Sequence, residues 1–552
     1  MPVINFSYCD LCALVGRDVS RHVLRERLPL IGADPKSIPD DSDELSIEFF
    51  PDRPDLYSVE GIARALKAFL GFEPGLRTYD VGTSNVDLVV DESVNDVRPY
   101  IWSALVEANE VDDALIRSMM DLQEKLHLTL GRNRRKVAIG LHDFRAVKPP
   151  FTYRAVAPDG ISFVPLQGDR KMTLAEILRE HGKGRTYASI LDGKSRYPII
   201  TDRNGDVLSF PPIINGVATA VTEDTKDIFI DCTGTDMNAV THAVNIVATA
   251  LAERGGMIKT VQQHRLEGTM PAPDLTPRDM DLDTHYVNSW TGRHLDARET
   301  SECLKRMGYG AAYEGSIVQV KVPAYRADIL HPIDLVEDVA VGYGYERFGG
   351  TLPKRATFGL EEPTIAFGNA LRHILIGLGY FEVVTLSLSN ARDQYLAFGI
   401  TEDHATHVKN PVSEDHTLVR TSLIPSLMTI LRKNKHRELP QRVFEVGDVV
   451  IDGMNRRRLA GASTHAKAGF TEAKSVVQSI ASGLGARMSV EAEDVPGFVP
   501  GRAAAVMFGE TRVGMFGEVS PRTLRSFDLG YPMVALEIDL DVVLELQSSV
   551  RC

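Results

Sequence analysis

Apolar positions along the chain follow two periods. In DVSRHVLRERLPLIG (18–32) and SVEGIARALKAFLG (58–71) they recur every three or four residues, the spacing of a helix with one buried face. Each run stops at a glycine, Gly32 and Gly71, which can close a helix in the left-handed conformation. Between them ELSIEFF (44–50) alternates like a strand, and the Pro/Asp/Ser-rich ADPKSIPDDSD (33–43) predicts a loop. The order helix, loop, strand, turn, helix returns over 287–345. There DARETSECLKRMGYG predicts a helix, SIVQVKVPAY a strand, and RADILHPIDLVEDVAVGYGY a turn and a helix. Superposing the copies matches Arg53 with Arg326, Asp55 with Asp328 and Leu56 with Ile329. After one inserted residue, Glu60 meets Asp334, Ala63 meets Glu337 and Arg64 meets Asp338. This is the signature of one small α/β module used twice.

The segment between the copies has its own pattern. KVAIGLHDF (136–144) and TKDIFIDCTGTD (225–236) predict strands, and Asn204-Gly205 between two apolar runs predicts a hairpin. AVTHAVNIVATALAERGG (239–256) predicts a long helix ended by a glycine pair. Past the second copy, a helix and strand over 364–389, strands at 441–452, 457–464 and 535–541, and a helix at 469–485 suggest an antiparallel sheet flanked by helices. The expected fold class is multidomain α/β and α+β, in four parts: 1–90, 95–265, 270–348 and 355–552.

Composition changes this picture little, and charge changes it more. The formal net charge is −14, whereas a chain that grips nucleic acid alone is usually basic. Nucleic-acid contact is therefore expected to be local or shared with another subunit, and GRNRRK (131–136) and LRKNKHR (431–437) are the basic clusters available; solvated faces are the alternative for both. No apolar run approaches the ~20 residues that span a bilayer, and no basic start followed by an apolar stretch suggests a secretory leader. Five scattered cysteines point to a reducing compartment. Cys9-x-x-Cys12 has no second pair to complete a zinc site, so buried small side chains are expected, and His404-x-x-His407 is expected on a loop.

The sharpest local signal is acidic. Pro332 suits the first position of a helix, and Asp334, Glu337 and Asp338 then share one face, with Asp328 just upstream. Four gathered carboxylates need a cation. An oxygen-only set suits Mg²⁺; helix-dipole preference, or a salt bridge to Arg326 or Lys321, is the alternative. The first copy, with Ala63 and Arg64, could keep the shape without holding an ion. No Walker loop, G-x-G-x-x-G, H-E-x-x-H or G-x-S-x-G is present; GKGRT (182–186) lacks the upstream glycine.

Five stretches, RPDLYSVEGIARAL, GRNRRKVAIGLHD, PPIINGVATAVTEDTKDIFIDCTGTD, RADILHPIDLVEDVAVGYGYERF and FGEVSPRTLRSFDLGYPMVALEIDLD, in this order resemble the phenylalanine–tRNA ligase β-subunit family of the archaeal and eukaryotic-cytosolic type. The resemblance implies a cytoplasmic α2β2 enzyme that joins phenylalanine to tRNA(Phe) with ATP, the aminoacylation site lying in α. It implies that 95–265 is an editing-type domain hydrolysing mischarged Tyr-tRNA(Phe), with Asp231, Thr233, Ser209 and His142 as candidate site residues and water as the attacking group. Turn-capping for Thr233, a loop start for Ser209 and a satisfied core role for His142 are the alternatives. It implies that Mg²⁺ on the second module is held by Asp328, Asp334, Glu337 and Asp338. It also implies that 355–552 is an inactive class II synthetase-like domain. RVFEVGD (442–448) resembles the Arg-x-x-Glu strand of active enzymes, but an ordinary strand is expected, since no glycine-rich segment ending in an ATP-clamping arginine follows. A non-catalytic scaffold is the alternative reading of the whole chain.

Overall fold

The computed structural model describes residues 2–352 and 358–550, in two compact units, 1–351 and 352–552. In the first unit the duplication is complete. Strands Val3–Ser7, Glu44–Phe49 and Ala33–Ser37 pair in that order, all antiparallel. Strands Arg278–Asp283, Ile317–Val322 and Gly310–Glu314 repeat the arrangement. The module begins earlier than the periodicity suggested, with a strand and a capped helix: Tyr8–Val15 capped by Ser7, and Thr284–Thr291 capped by Asp283. The expected loop ADPKSIPDDSD instead opens with the edge strand Ala33–Ser37. Pro35 is tolerated there because an edge strand has one side that needs no amide donor. The helices ending near Gly32 and Gly71 form as expected, and both glycines have φ near +80°.

Between the modules two sheets face each other. One has five strands, ordered Val81–Gly82, Met257–Lys259, Tyr100–Glu107, Asp227–Gly234 and Val137–Asp143. The other has seven and includes the hairpin Tyr197–Thr201/Val207–Phe210 and the strand Phe151–Val156. Strand Asp227–Gly234 is buried on both faces. Ile228, Ile230 and Cys232 pack on helix Met237–Glu253, while Phe229 meets Phe151 at 4.6 Å between centroids. Burying a phenylalanine this fully is worth about 2–3 kcal/mol, and it fixes Asp231 and Thr233, two and four residues on, toward the same side.

The second unit is a seven-stranded sheet, ordered Phe381–Glu382, Gln441–Ile451, Met454–Thr464, Met533–Asp539, Thr511–Val519, Phe498–Phe508 and Met488–Ala492. It is antiparallel except at its first pair. Helices Pro363–Gly377 and Phe470–Gly483 cover one face and Ile424–Lys433 the other. Two cysteine and histidine expectations need correction. Cys9 is exposed and Cys12 half-buried, because the first helix turns that side outward, and His407 lies in the short strand Thr406–His407. No helix among the described residues is long and apolar enough to cross a membrane.

Candidate functional site

The two facing sheets leave a cavity of about 390 Å³ that Asp231, Thr233 and Ser209 all line. Asp231 sits in register opposite Gly140. A Cβ on Gly140 would fall 2.1 Å from Asp231 Oδ2 and 2.7 Å from His142 Nε2, so only glycine lets the carboxylate and imidazole meet here. His142 Nε2 lies 2.7 Å from Asp231 Oδ2, and His142 Nδ1 lies 2.8 Å from Thr219 Oγ1. Both ring nitrogens are thus partnered, Nε2 by the carboxylate and Nδ1 by the Thr219 hydroxyl, which also reaches Gly216 O at 3.3 Å. His142 is wholly buried and does not line the cavity; it holds Asp231 from behind.

Thr233 is held by Arg98, a residue without a local sequence signal. Arg98 Nε donates to Thr233 Oγ1 at 2.9 Å, Nη2 to Thr233 O at 2.7 Å and Nη1 to Arg135 O at 3.2 Å. Burial pulls the Arg98 guanidinium down to about 10, partly offset by Tyr153 and Asp231. Because Thr233 Oγ1 already accepts from Arg98, its own proton is free to donate into the cavity. Ser209 Oγ donates to Asn215 Oδ1 at 3.1 Å. Opposite, Arg134 donates to Ile213 O at 3.0 Å and to Glu124 Oε1 at 2.7 Å, and it stacks 4.6 Å over Tyr187. Next to Glu124, His127 accepts the Ile139 amide on Nε2 at 2.8 Å, and burial pushes it down to about 4. The cavity thus offers the Asp231 carboxylate and the Ser209 and Thr233 hydroxyls on rigid strands, while its second carboxylate, Glu124, is engaged by Arg134.

The acidic helix is arranged differently from a cage. Pro332 opens helix Pro332–Tyr343 as expected. Asp334 accepts the Leu330 and His331 amides, both at 2.7 Å, and so closes the helix start. Arg326 holds Asp328 by two bonds of 2.8 and 2.6 Å and reaches Asp338 at 2.6 Å; Tyr309 also donates to Asp338. Glu337 is exposed, and lost hydration, then Asp338 and other nearby acids including Asp52, raises its carboxyl. No group of three or more His, Cys, Asp or Glu among the described residues is placed to hold a metal ion. As they stand, Asp328, Asp334, Glu337 and Asp338 do not fit Mg²⁺: the counter-charge they need comes from Arg326, and Asp334 is spent on the backbone. In the first copy Arg53 grips Asp55 in the same two-pronged way, at 2.8 and 2.9 Å.

Family models match three stretches: the B3/4 domain over 92–265, the tRNA synthetase B5 domain over 280–345, and the phenylalanyl tRNA synthetase beta chain CLM domain over 350–540. Two of the three descriptions name a tRNA synthetase, and the cavity lies in the B3/4 stretch. Whole-chain relatives narrow the class. The phenylalanine–tRNA ligase beta subunit of Methanothrix thermoacetophila is 47% identical over 98% of this chain and 100% of its own length. That of Archaeoglobus fulgidus is 45% identical over 98% of each. A solved N-terminal fragment of the Pyrococcus horikoshii phenylalanyl-tRNA synthetase beta subunit superposes with a TM-score of 0.60 at 40% identity, covering 62% of this chain and all of the fragment. The chain belongs to the phenylalanine–tRNA ligase beta-subunit family.

Proposed function

We propose that the chain is the β partner in an α2β2 cytoplasmic ligase that attaches phenylalanine to tRNA(Phe), and that its central cavity hydrolyses tyrosine wrongly attached to that tRNA. ATP-dependent aminoacylation belongs to α. The observation that carries the hydrolytic reading is the pairing of a fixed acceptor with a free donor: Asp231, held by His142, and Thr233, held by Arg98, at one cavity wall. A tyrosine hydroxyl can donate to the free oxygen of Asp231 and accept from Thr233. Phenylalanine would leave both unpaired and buried, at a cost of about 1–3 kcal/mol for each group. A water positioned by the Ser209 and Asn215 groups attacks the ester, and no protein nucleophile is required. Asp231→Ala should slow Tyr-tRNA(Phe) deacylation by the co-expressed α2β2 complex while Phe-tRNA(Phe) synthesis persists; undiminished deacylation would remove Asp231 from the site.

The second unit is proposed to be a class II synthetase-like core without catalysis. What supports this is the fate of its Arg-x-x-Glu pair. Glu445 is buried against Arg420 at 2.8 Å and accepts the Thr385 hydroxyl at 2.6 Å, while Arg442 lies 3.5 Å from Glu472, so neither is left to grip ATP. A magnesium ion on Asp328, Asp334, Glu337 and Asp338 is a separate proposal, and it requires Arg326 to release two carboxylates. Metal analysis after dialysis against magnesium decides it: one equivalent per chain, lost in Asp334→Asn, supports the ion, and none leaves Arg326 as the counter-charge.

A further inference from the structure

The turn joining helix Asp113–Leu128 to strand Val137–Asp143 passes through three successive left-handed residues, none of them glycine: Arg132 (φ 48°), Asn133 (φ 54°) and Arg134 (φ 66°). Residues other than glycine visit that region singly, so a run of three must be held from outside. Arg134 N donates to His127 O at 3.2 Å and Lys136 N to Gly131 O at 2.8 Å, while the Arg134 side chain is buried on Glu124, Ile213 O and Tyr187. Arg98, which fixes Thr233, also holds Arg135 O, and Lys136 pairs with Asp236 at 3.2 Å.

The strain has a directional result. With Arg134 anchored inward, Arg132, Asn133 and Arg135 project into solvent. Tyr187, beneath Arg134, belongs to helix Gly182–Tyr187, whose Lys183 and Arg185 are also exposed. Arg134 and Lys183 line the cavity that holds Asp231, and Lys183 Nζ is 3.9 Å from Glu124 Oε1, the carboxylate Arg134 already engages. Two basic segments far apart in sequence are therefore tied together beside one cavity, on a chain whose net charge is −14.

We propose that this lip is a phosphate clamp for the single-stranded end of a nucleic acid whose terminal ester enters the cavity, with Arg132 and Arg135 on one side, Lys183 and Arg185 on the other, and Arg134 as the positioning residue. Guanidinium groups suit phosphate oxygens geometrically, and exposed cations on a strained, fixed turn lose little freedom on binding. The inference rests on the hydrolytic reading above for what the ester is, but the clamp itself is tested apart from it.

The test uses the α2β2 complex with the double variants R132A/R135A and K183A/R185A. For Tyr-tRNA(Phe) deacylation, each should raise KM at least about tenfold, leave kcat within about twofold, and flatten the dependence of log KM on log salt by about 0.7 per lost phosphate contact on a single strand. Hydrolysis of tyrosyl-adenosine, which has no phosphate to grip, should be unchanged in R132A/R135A, whose side chains lie outside the cavity lining. Binding of a short ACCA oligonucleotide should weaken in parallel. Should the wild-type complex fail to deacylate while oligonucleotide binding still weakens in the variants, the hydrolytic reading falls and the clamp stands. Wild-type KM, salt slope and oligonucleotide affinity in both variants would overturn the clamp, as would an equal loss on tyrosyl-adenosine in R132A/R135A, which would mean the substitutions distort the cavity.

Discussion

His127 makes the candidate cavity's wall sensitive to acid, and the effect can be sized. Its Nε2 accepts the Ile139 amide at 2.8 Å, so a proton there would set N–H against N–H. Its Nδ1 lies 3.6 Å from Glu124 Oε1, and the ring is 2% exposed. Burial, reinforced by the charge of Arg134 and opposed by Glu124, pushes the imidazole down from 6.5 to about 4. The folded state therefore prefers neutral His127, while the unfolded chain takes up the proton near 6.5. Stability from this group is complete above pH 6.5 and is lost as pH falls toward 4, because the unfolded state binds more protons across that window. A gap of this size is worth about 3 kcal/mol, a large part of a typical folding stability. The perturbation is His127→Gln, whose side-chain oxygen can still accept from Ile139 but does not titrate. Urea unfolding followed by fluorescence isolates the first unit well, since both tryptophans lie there and Trp102 is 6% exposed against 64% for Trp290. The wild type should lose about 3 kcal/mol more than the variant between pH 7 and 4. Equal losses in the two proteins would refute the argument, and so would undiminished amide-exchange protection of Ile139 at pH 4.

Gly140→Ala should abolish most deacylation, since the new methyl would sit 2.1 Å from Asp231 Oδ2; destabilisation of about 1–3 kcal/mol should accompany it, and near-wild-type activity would contradict the close approach. Arg326→Met should destabilise the first unit by about 3–5 kcal/mol, because half-buried Asp328 and buried Asp338 lose their counter-charge and Asp338 keeps only the Tyr309 hydroxyl; a thermal unfolding midpoint unchanged in magnesium-free buffer would show that Arg326 is not their counter-charge. Arg420→Met should cost a similar amount in the second unit, and adding Glu445→Gln should recover part of it, as a double-mutant cycle of urea midpoints would register.

Sequence periodicity made the repeated module visible because each helix must bury a stripe and each strand alternates, whatever the partner. Asp231 and Thr233 were reachable as neighbours two apart on a strand, the spacing that puts both on one face. Arg98 and Thr219 were not, because their roles depend on contacts 135 and 77 residues away that leave no local period. The opening strand of each module was missed for a similar reason: VINFS is short and RDMDLD is polar, and both are strands by virtue of their neighbours. The acidic quartet was legible as a spacing but not in its partners. The i, i+3, i+4 spacing is real, and Arg326, twelve residues before Asp338 in the preceding turn, supplies counter-charge to Asp328 and Asp338, the alternative the sequence also offered.

The two copies of the module explain why Glu337 and Asp338 have no acidic counterpart at Ala63 and Arg64. Both keep the Arg-x-Asp clasp, Arg53 with Asp55 and Arg326 with Asp328, so the clasp belongs to the shared scaffold. Their helices differ in what covers them. In the first, Glu60 is fully buried, accepting Ser118 Oγ at 2.9 Å and Arg254 Nε at 2.5 Å, and Arg64 donates to Thr249 and lies 3.7 Å over Tyr325. Every one of those partners comes from outside the first module, so the helix is committed to packing, and an acid at Ala63, 1% exposed, would be buried without a counter-ion. In the second, Glu337 faces solvent and Leu330 just before the helix is 77% exposed. A carboxylate there is only partly stripped of water, which raises its pKa, and it costs less to retain than one sealed in at Ala63. The difference between Ala63 and Glu337 therefore follows from burial before any ligand is invoked: the first copy keeps only the acids, Asp55 and Glu60, that find an arginine partner, and the second keeps Glu337 on its open face.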